Sequence, residues 1–172
     1  SHVRTEHRND RTRHLHTLSV EECVRVIQEE DRVVLDAMQS ARAALTAFIE
    51  AVEPGFVRGG RLVYVGAGTS GRLGVLDASE APPTFQVPPD RIVGIIAGGD
   101  ASLRRSSEGR EDDPRGAEGE LAALRLGSGD AVIGIAAGGT TPYVLGALQF
   151  ARSQRRDGAG PIASRRASEL VA

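Results

Sequence analysis

The sequence predicts an α/β protein built on a doubly wound parallel sheet. Three observations carry this. Residues 61–65, 91–97 and 131–136 are short, nearly continuous apolar runs. Each leads into a glycine-rich turn and then a helical stretch. The runs begin roughly 30–40 residues apart, the spacing of a βα unit. Unbroken apolar character, rather than alternation, belongs to parallel strands covered on both faces.

Each element can be justified in order. Residues 1–18 are polar and rich in His and Arg, and read as an arm without its own core. Residues 19–60 read as N-terminal helices. Ser19 and Glu22 form a capping-box pattern. Val20, Cys23, Val24 and Ile27 follow at helical spacing. A second stripe runs through Val34, Met38, Ala41, Leu45, Phe48 and Val52, with Pro54-Gly55 ending or kinking that helix and Gly59-Gly60 closing it. Residues 61–154 hold the three βα units. Residues 155–172 carry no strand pattern and no helical stripe, and read as an irregular tail. Three strands leave the sheet incomplete against the usual five or six. The chain also begins without Met, so its start is expected to be incomplete, while the three-strand count and the abrupt tail read as about the N-terminal half of a larger protein.

Composition removes several chemistries. The chain has 172 residues, and its 21 basic residues are all Arg. Without Lys there is neither a Walker-type phosphate loop nor a Schiff-base nucleophile. All four His lie within the first sixteen residues, so acid–base work further on falls to carboxylates, Tyr or water. The single Cys23 excludes a cysteine-rich metal site and an internal disulfide framework. A net charge of −2 and 3% aromatic residues give no footprint for nucleic acid. No apolar run is long enough to span a bilayer, and the N-terminus lacks a signal-peptide core. A cytoplasmic protein is expected.

The glycine turns are where ligands bind in such sheets, at the carboxyl ends of the strands. Gly66-Ala67-Gly68-Thr69-Ser70-Gly71 satisfies G-x-G-x-x-G. A dinucleotide site also wants an acidic residue ending the second strand, about 20 positions on. Asp90 has that spacing but precedes the strand, and Asp100 lies 34 residues past Gly66. Two adjacent hydroxyls and the free amides of a helix N-terminus suit a phosphate monoester better. Gly68, Thr69, Ser70, Gly71 and Arg72 are therefore candidate phosphate ligands, against the plainer alternative of a capped βα turn. Gly139, Thr140 and Thr141 open the third helix in the same manner, with Pro142 in its first turn.

Carboxylates supply the chemistry. Asp77-Ala78-Ser79-Glu80 precedes Pro82-Pro83, which is expected to hold Glu80 in a stiff, non-helical segment. Glu108-Gly109-Arg110-Glu111-Asp112-Asp113 is a second acidic cluster, one that composition alone would leave as solvated surface. With no His nearby, one Glu from each is the simplest acid–base pair, since two carboxylates in different surroundings can divide those roles.

The stretch from Gly66 to Glu80, with Pro82-Pro83-Thr84, resembles N-acetylmuramic acid 6-phosphate etherases. Ile95-Ile96-Ala97-Gly98-Gly99, Glu108-Gly109 with Glu111-Asp112, and Thr141-Pro142-Tyr143-Val144 extend the resemblance. Thr5-Glu6, Asn9 and Leu18-Ser19 resemble the family's N-terminal arm. The resemblance implies a sugar isomerase (SIS) domain and a homodimer with sites near its interface. It also implies elimination of D-lactate from N-acetylmuramic acid 6-phosphate, followed by water addition, in bacterial cell-wall recycling. It assigns Glu80 as the acid and Glu111 as the base at C2, with Ser79 joining the substrate contacts. A phosphorylated amino sugar is the implied partner. No metal or other cofactor is implied. Two departures stand out: Gly138 replaces a family Ser in the turn before Thr-Pro-Tyr, and the chain is shorter than the family's members, so it is expected to be weakly active or inactive by itself. The rival implications are a non-catalytic phosphosugar sensor and an aldose–ketose isomerase on the same fold.

Overall fold

The computed structural model describes residues 7–105 and 109–154. Thr5, Glu6, Glu108 and the expected tail from Arg155 lie outside the described residues. Helix α1 spans Val20–Ser40, and its capping box forms as expected. The Glu22 amide donates to Ser19 Oγ at 3.3 Å, and the Ser19 amide donates to Glu22 Oε2 at 2.8 Å. Before it, Asp10–Thr12 and Leu15–Thr17 are single 3-10 turns with no buried residue. They are strapped to α1 rather than packed on it. Asn9 donates to Glu30, Arg11 pairs with Glu29 at 2.9 Å, and Cys23 Sγ contacts the Leu15 carbonyl.

Helix α2 spans Arg42–Val57. The stripe expected to be one helix from Val34 to Val52 is therefore divided at Ala41, which ends α1 and caps α2. Both helices keep the same apolar period, so periodicity alone could not see the break. Pro54 lies inside α2 and does not end it. It falls in the last turn, where a lost backbone bond costs least. Gly55 next to it is buried against the Gly129 backbone, where an added Cβ would sit 2.7 Å from the Gly129 carbonyl oxygen.

Strands β1 (Leu62–Gly66), β2 (Ile92–Ile96) and β3 (Ala131–Ile135) form one parallel sheet in the order β2-β1-β3. The α/β expectation and the three-strand count both hold. Helix α3 (Gly68–Phe85) returns from β1 to β2 along one face of the sheet. Small residues let it approach: a Cβ on Gly74 would lie 3.0 Å from Tyr64 Cβ, and one on Gly94 would lie 2.7 Å from Val75 Cα. The link from β2 to β3 holds only α4 (Ala101–Arg104) and α5 (Glu118–Leu124) as helix among the described residues. Helix α6 (Pro142–Ser153) follows β3.

Alternation along the strands sorts the two faces. Val63, Val65, Ile95 and Val132 point to one side and bury against Ala117, Leu121, Tyr143, Val144, Ala147 and Ala151 of the α5 and α6 layer. Tyr64, Gly94 and Ile135 point to the α3 layer. This is the two-sided cover that continuous apolar strands require. The N-terminal helices contribute little to the core: α1 buries no residue, and α2 buries only Val52 and Gly55. Val20, Val24, Ile27, Val34 and Met38 are instead exposed along one stripe of α1, with Leu45 and Ile49 exposed on α2.

Candidate active site

Gly66 ends the central strand beside Ile96 on one side and Ile135 on the other. All three strand ends therefore open on the same edge. The chain leaves β1 toward β2, while β3 lies on the far side of β1. A crevice forms where neighbouring strands send their connections apart, and that point lies between β1 and β3.

The first turn is built by close approach. A Cβ on Gly66 would sit 2.7 Å from the Gly71 amide nitrogen. One on Gly71 would sit 2.7 Å from both the Gly66 oxygen and Ile96 Cγ1. Gly68 adopts φ +54, a left-handed value open to glycine. The Gly71 amide closes the first helical bond to the Ala67 carbonyl at 3.1 Å. Gly68, Thr69 and Ser70 thus supply the first-turn amides of α3, which have no partner within a helix. Ala67 is the N-cap and makes no side-chain cap. Thr69 and Ser70 lie within the helix, with Thr69 exposed. Amides, hydroxyls and the positive end of a helix together suit an anion.

Arg72 is committed elsewhere. Its Nε donates to the Leu103 carbonyl at 3.3 Å and Nη2 to the Arg105 carbonyl at 3.2 Å. It ties α4 and the residue that follows it to the start of α3. Gly98 and Gly99, with φ +83 and +66, turn the chain from β2 into that segment.

The second turn runs from Ala136 to Thr141. Gly139 takes φ +64 and donates its amide to the Ala136 carbonyl at 3.2 Å. Thr141 is the N-cap residue of α6, with Pro142 first in the helix, as the sequence suggests. Its side chain makes no cap bond. The cap comes from a distant residue: the Tyr143 amide donates to the Glu111 carbonyl at 3.0 Å. That bond brings the Glu111 segment to the edge that carries the glycine turns. Glu111 is exposed there.

Glu80 is placed differently from its expectation. It lies inside α3, which continues through Pro82 and Pro83 to Phe85. The prolines fall in the last turn, and Gln86 then stops the helix in the left-handed region at φ 54. Each Pro removes one backbone bond, but contact with β1 and β2 holds α3 in place. Twelve residues beyond Gly68, Glu80 stands about 18 Å down the helix from the first glycine turn. It is exposed, on the opposite face of the sheet from α6. Ser79 is also exposed, and its hydroxyl donates to the Leu76 carbonyl at 2.8 Å. One copy of the chain therefore gathers the two turns and Glu111 at one edge, and leaves Glu80 and Ser79 apart from them.

Tyr143 borders the Glu111 segment and faces the charge of Glu120, and the sequence alone singles out neither as a site residue. Tyr143 is buried, and burial first, then Glu120 and Asp113, push its hydroxyl up to about 12. Burial, with Asp100 second, holds Glu120 above the usual carboxylate range. Tyr143 was legible only as part of a motif, and Glu120 only as one acidic residue among many. On the other face, burial and then the Asp77 carboxylate push Tyr64 up to about 12. Among the described residues no cluster of His, Cys, Asp and Glu could hold a metal ion, and no helix is long and apolar enough to cross a membrane.

A parallel βα sheet with hydroxyl-bearing helix N-termini at a switch point is a doubly wound α/β architecture whose ligands bind at the carboxyl ends of the strands. Residues 44–152 match the glucokinase regulatory protein N-terminal SIS domain, and the chain belongs to that family. The relatives it resembles are more specific. It is 50% identical over 149 residues to an N-acetylmuramic acid 6-phosphate etherase of Actinobacillus pleuropneumoniae, covering 87% of this chain and 49% of that protein. An etherase of the same name from Rhizobium rhizogenes is 48% identical over 149 residues, covering 87% of this chain and 48% of that protein. One from Exiguobacterium is 48% identical over 148 residues, covering 86% of this chain and 50% of that protein. The chain spans about half the length of these curated relatives.

Proposed function

We propose that the chain carries the phosphate-binding and acid–base elements of an N-acetylmuramic acid 6-phosphate etherase, a carbon–oxygen lyase. The observation that carries this reading is the shared edge. The α3 N-terminus, with Gly68 to Gly71, opens at the β1/β3 crevice, and the Glu111 segment is fastened to the same edge through α6. The 6-phosphate sits on the amides and hydroxyls of the first turn, and Gly139, Thr140 and Thr141 line the sugar. Arg72 holds the 103–105 segment over that turn.

The chemistry follows from the acid–base inventory. In the open-chain sugar the C1 aldehyde acidifies the C2 proton. Glu111 removes that proton, the C3–O bond breaks, and Glu80 protonates the departing D-lactate oxygen. Water then adds at C3 of the unsaturated aldehyde, giving N-acetylglucosamine 6-phosphate. The reaction uses no metal or organic cofactor, and the site is cytoplasmic.

Glu80 has to reach this edge from somewhere, and a homodimer supplies it. Leu73 and Leu76, both 57% exposed, share the outer face of α3 with Asp77 and Glu80 at positions i, i+3, i+4 and i+7. Together with the exposed stripes of α1 and α2, this is the apolar surface an isologous contact buries. Such a contact carries Glu80 and Ser79 of one copy to the glycine turn of the other.

Incubating the purified chain with N-acetylmuramic acid 6-phosphate tests the reading. Slow D-lactate release is expected, together with substrate-induced shifts of the Gly68–Gly71 amides in NMR spectra. The absence of both release and shifts would overturn it. The separation of the two glutamates within one copy favours a second reading, a phosphosugar binder without catalysis. Amide shifts without lactate would select that one.

A further inference from the structure

We infer that α6 is a clamp that positions Glu111, acting through three contacts at its first two turns. The role of Glu111 as the base rests on the proposed etherase reading; the clamp itself does not.

The first contact is the bond from the Tyr143 amide to the Glu111 carbonyl, at 3.0 Å. Tyr143 stands second in α6, where an amide has no partner within its own helix. Thr141 leaves that donor uncapped, and Glu111 takes the place of a capping side chain. The second contact lies one turn on. Gly146 is buried, and a Cβ there would sit 1.7 Å from the Pro114 oxygen and 2.5 Å from its carbonyl carbon. Backbone lies directly on backbone, so no side chain can be admitted without moving the 111–116 segment. The third contact runs the other way: a Cβ on Gly116 would sit 2.9 Å from Cδ2 and Cε2 of the Tyr143 ring. That ring is 2% exposed and anchored in the core.

The segment is also shaped from within. The Arg115 amide donates to Asp113 Oδ1 at 2.9 Å and the Gly116 amide to the Asp113 carbonyl at 3.2 Å. It therefore behaves as a preformed hook pressed on α6 at three points, with Glu111 at its tip. The Glu111 side chain is exposed, so among the described residues it is this backbone seating that fixes where the carboxylate stands. A base displaced by even 1 Å loses much of its efficiency. Tyr143 and Gly146 are positioning residues in this sense; neither touches a reacting atom.

Amide hydrogen exchange of the full chain, read residue by residue, tests the clamp. In the wild type the Tyr143 amide is protected although it lies in the first turn of a helix. Gly146→Ala raises exchange at Tyr143 and across 111–116 by at least tenfold, while β1 and α3 stay protected. Gly116→Ala acts in the same direction with a smaller effect, and decides the matter if Gly146→Ala does not fold. Gly119→Ala serves as the control, because a Cβ there meets nothing within 4 Å. It leaves 111–116 unchanged. Unprotected Tyr143 in the wild type, or unaltered exchange at 111–116 in both Gly146→Ala and Gly116→Ala, overturns the clamp.

A kinetic arm separates positioning from mere stability. In D-lactate release, Gly116→Ala and Gly146→Ala lower kcat at least tenfold with KM within twofold, because the phosphate turn belongs to another element. A rise in KM with unchanged kcat overturns the positioning role. If the wild type releases no lactate, the etherase reading fails, and the exchange comparison still decides the clamp.

Discussion

Asp130 holds both the main chain and the side chain of Arg61. Its Oδ1 accepts from the Arg61 amide at 2.8 Å and from Nε at 3.1 Å, and its Oδ2 accepts from Nη2 at 2.7 Å. The Gly127 amide adds a fourth donor at 2.8 Å. These two residues precede β1 and β3, so the pair sets the register in which those strands enter the sheet. The Asp130 side chain is 7% exposed. Burial pushes its carboxyl up, but the donors from Arg61 and Gly127 outweigh burial and hold it below the usual carboxylate range.

Asp130→Asn is expected to destabilise the protein by about 2 kcal/mol at neutral pH, because it leaves a half-buried guanidinium uncompensated. The wild-type contribution is fully present above the unfolded carboxylate value near 4 and is lost as pH falls through the lower folded value. Urea unfolding of wild type and variant, at neutral pH and again in acid, checks this. The difference between them should shrink in acid.

Both tyrosines should titrate abnormally. The protein has two Tyr and no Trp, so tyrosinate absorbance is read without interference. Burial first, with neighbouring carboxylates second, pushes Tyr64 and Tyr143 each up to about 12. The folded state keeps both protons longer than the unfolded chain does. This contribution to stability is complete below the unfolded value of about 10, and disappears as pH rises toward the folded value. A spectrophotometric titration should show no ionisation step near pH 10 while the circular dichroism remains native. A full step there would refute the burial of both hydroxyls.

Gly71→Ala should damage the first turn specifically. The added Cβ meets the Gly66 oxygen and Ile96 Cγ1, each at 2.7 Å, and the oxygen belongs to a paired central strand that cannot move away. A cost of about 3 kcal/mol is expected, together with loss of the substrate-induced shifts of the Gly68–Gly71 amides. Thermal unfolding and NMR titration measure the two effects. A variant of wild-type stability would show that the turn is looser than its geometry.

Glu80→Gln and Glu111→Gln should each abolish D-lactate release. Their equal mixture, after subunit exchange, should recover about a quarter of wild-type activity, because half of the dimers pair unlike copies and each of those has one intact site. A dead mixture from two folded, dimeric variants would place both glutamates in the same copy's site.

Much of the architecture was legible from local signals. Continuous apolar runs marked β1, β2 and β3 because two-sided burial leaves no polar alternation. Ser19 and Glu22 marked the start of α1 because a capping box is a contact between residues three apart. Pro142 marked α6 for the same local reason. Where the reading went astray, tertiary contact overrode a local preference. Pro82 and Pro83 argue against a helix, yet α3 keeps them because the sheet beneath stabilises the turn that they weaken. The break at Ala41 separates two helices of the same apolar period, which no period can reveal.

Function divides along the same line. Residue types and spacing alone pointed to carboxylate chemistry and to an anion at the β-strand ends, since Lys is absent and His is confined to the arm. Only the tertiary structure decided which carboxylate reaches that edge. Glu111 arrives there because the amide of Tyr143, 32 residues later, needs a partner that its own helix cannot provide. Glu80 is carried about 18 Å away because α3 rises steadily from the turn it caps. Both outcomes depend on where chain segments distant in sequence meet, and sequence spacing by itself contains no such distance.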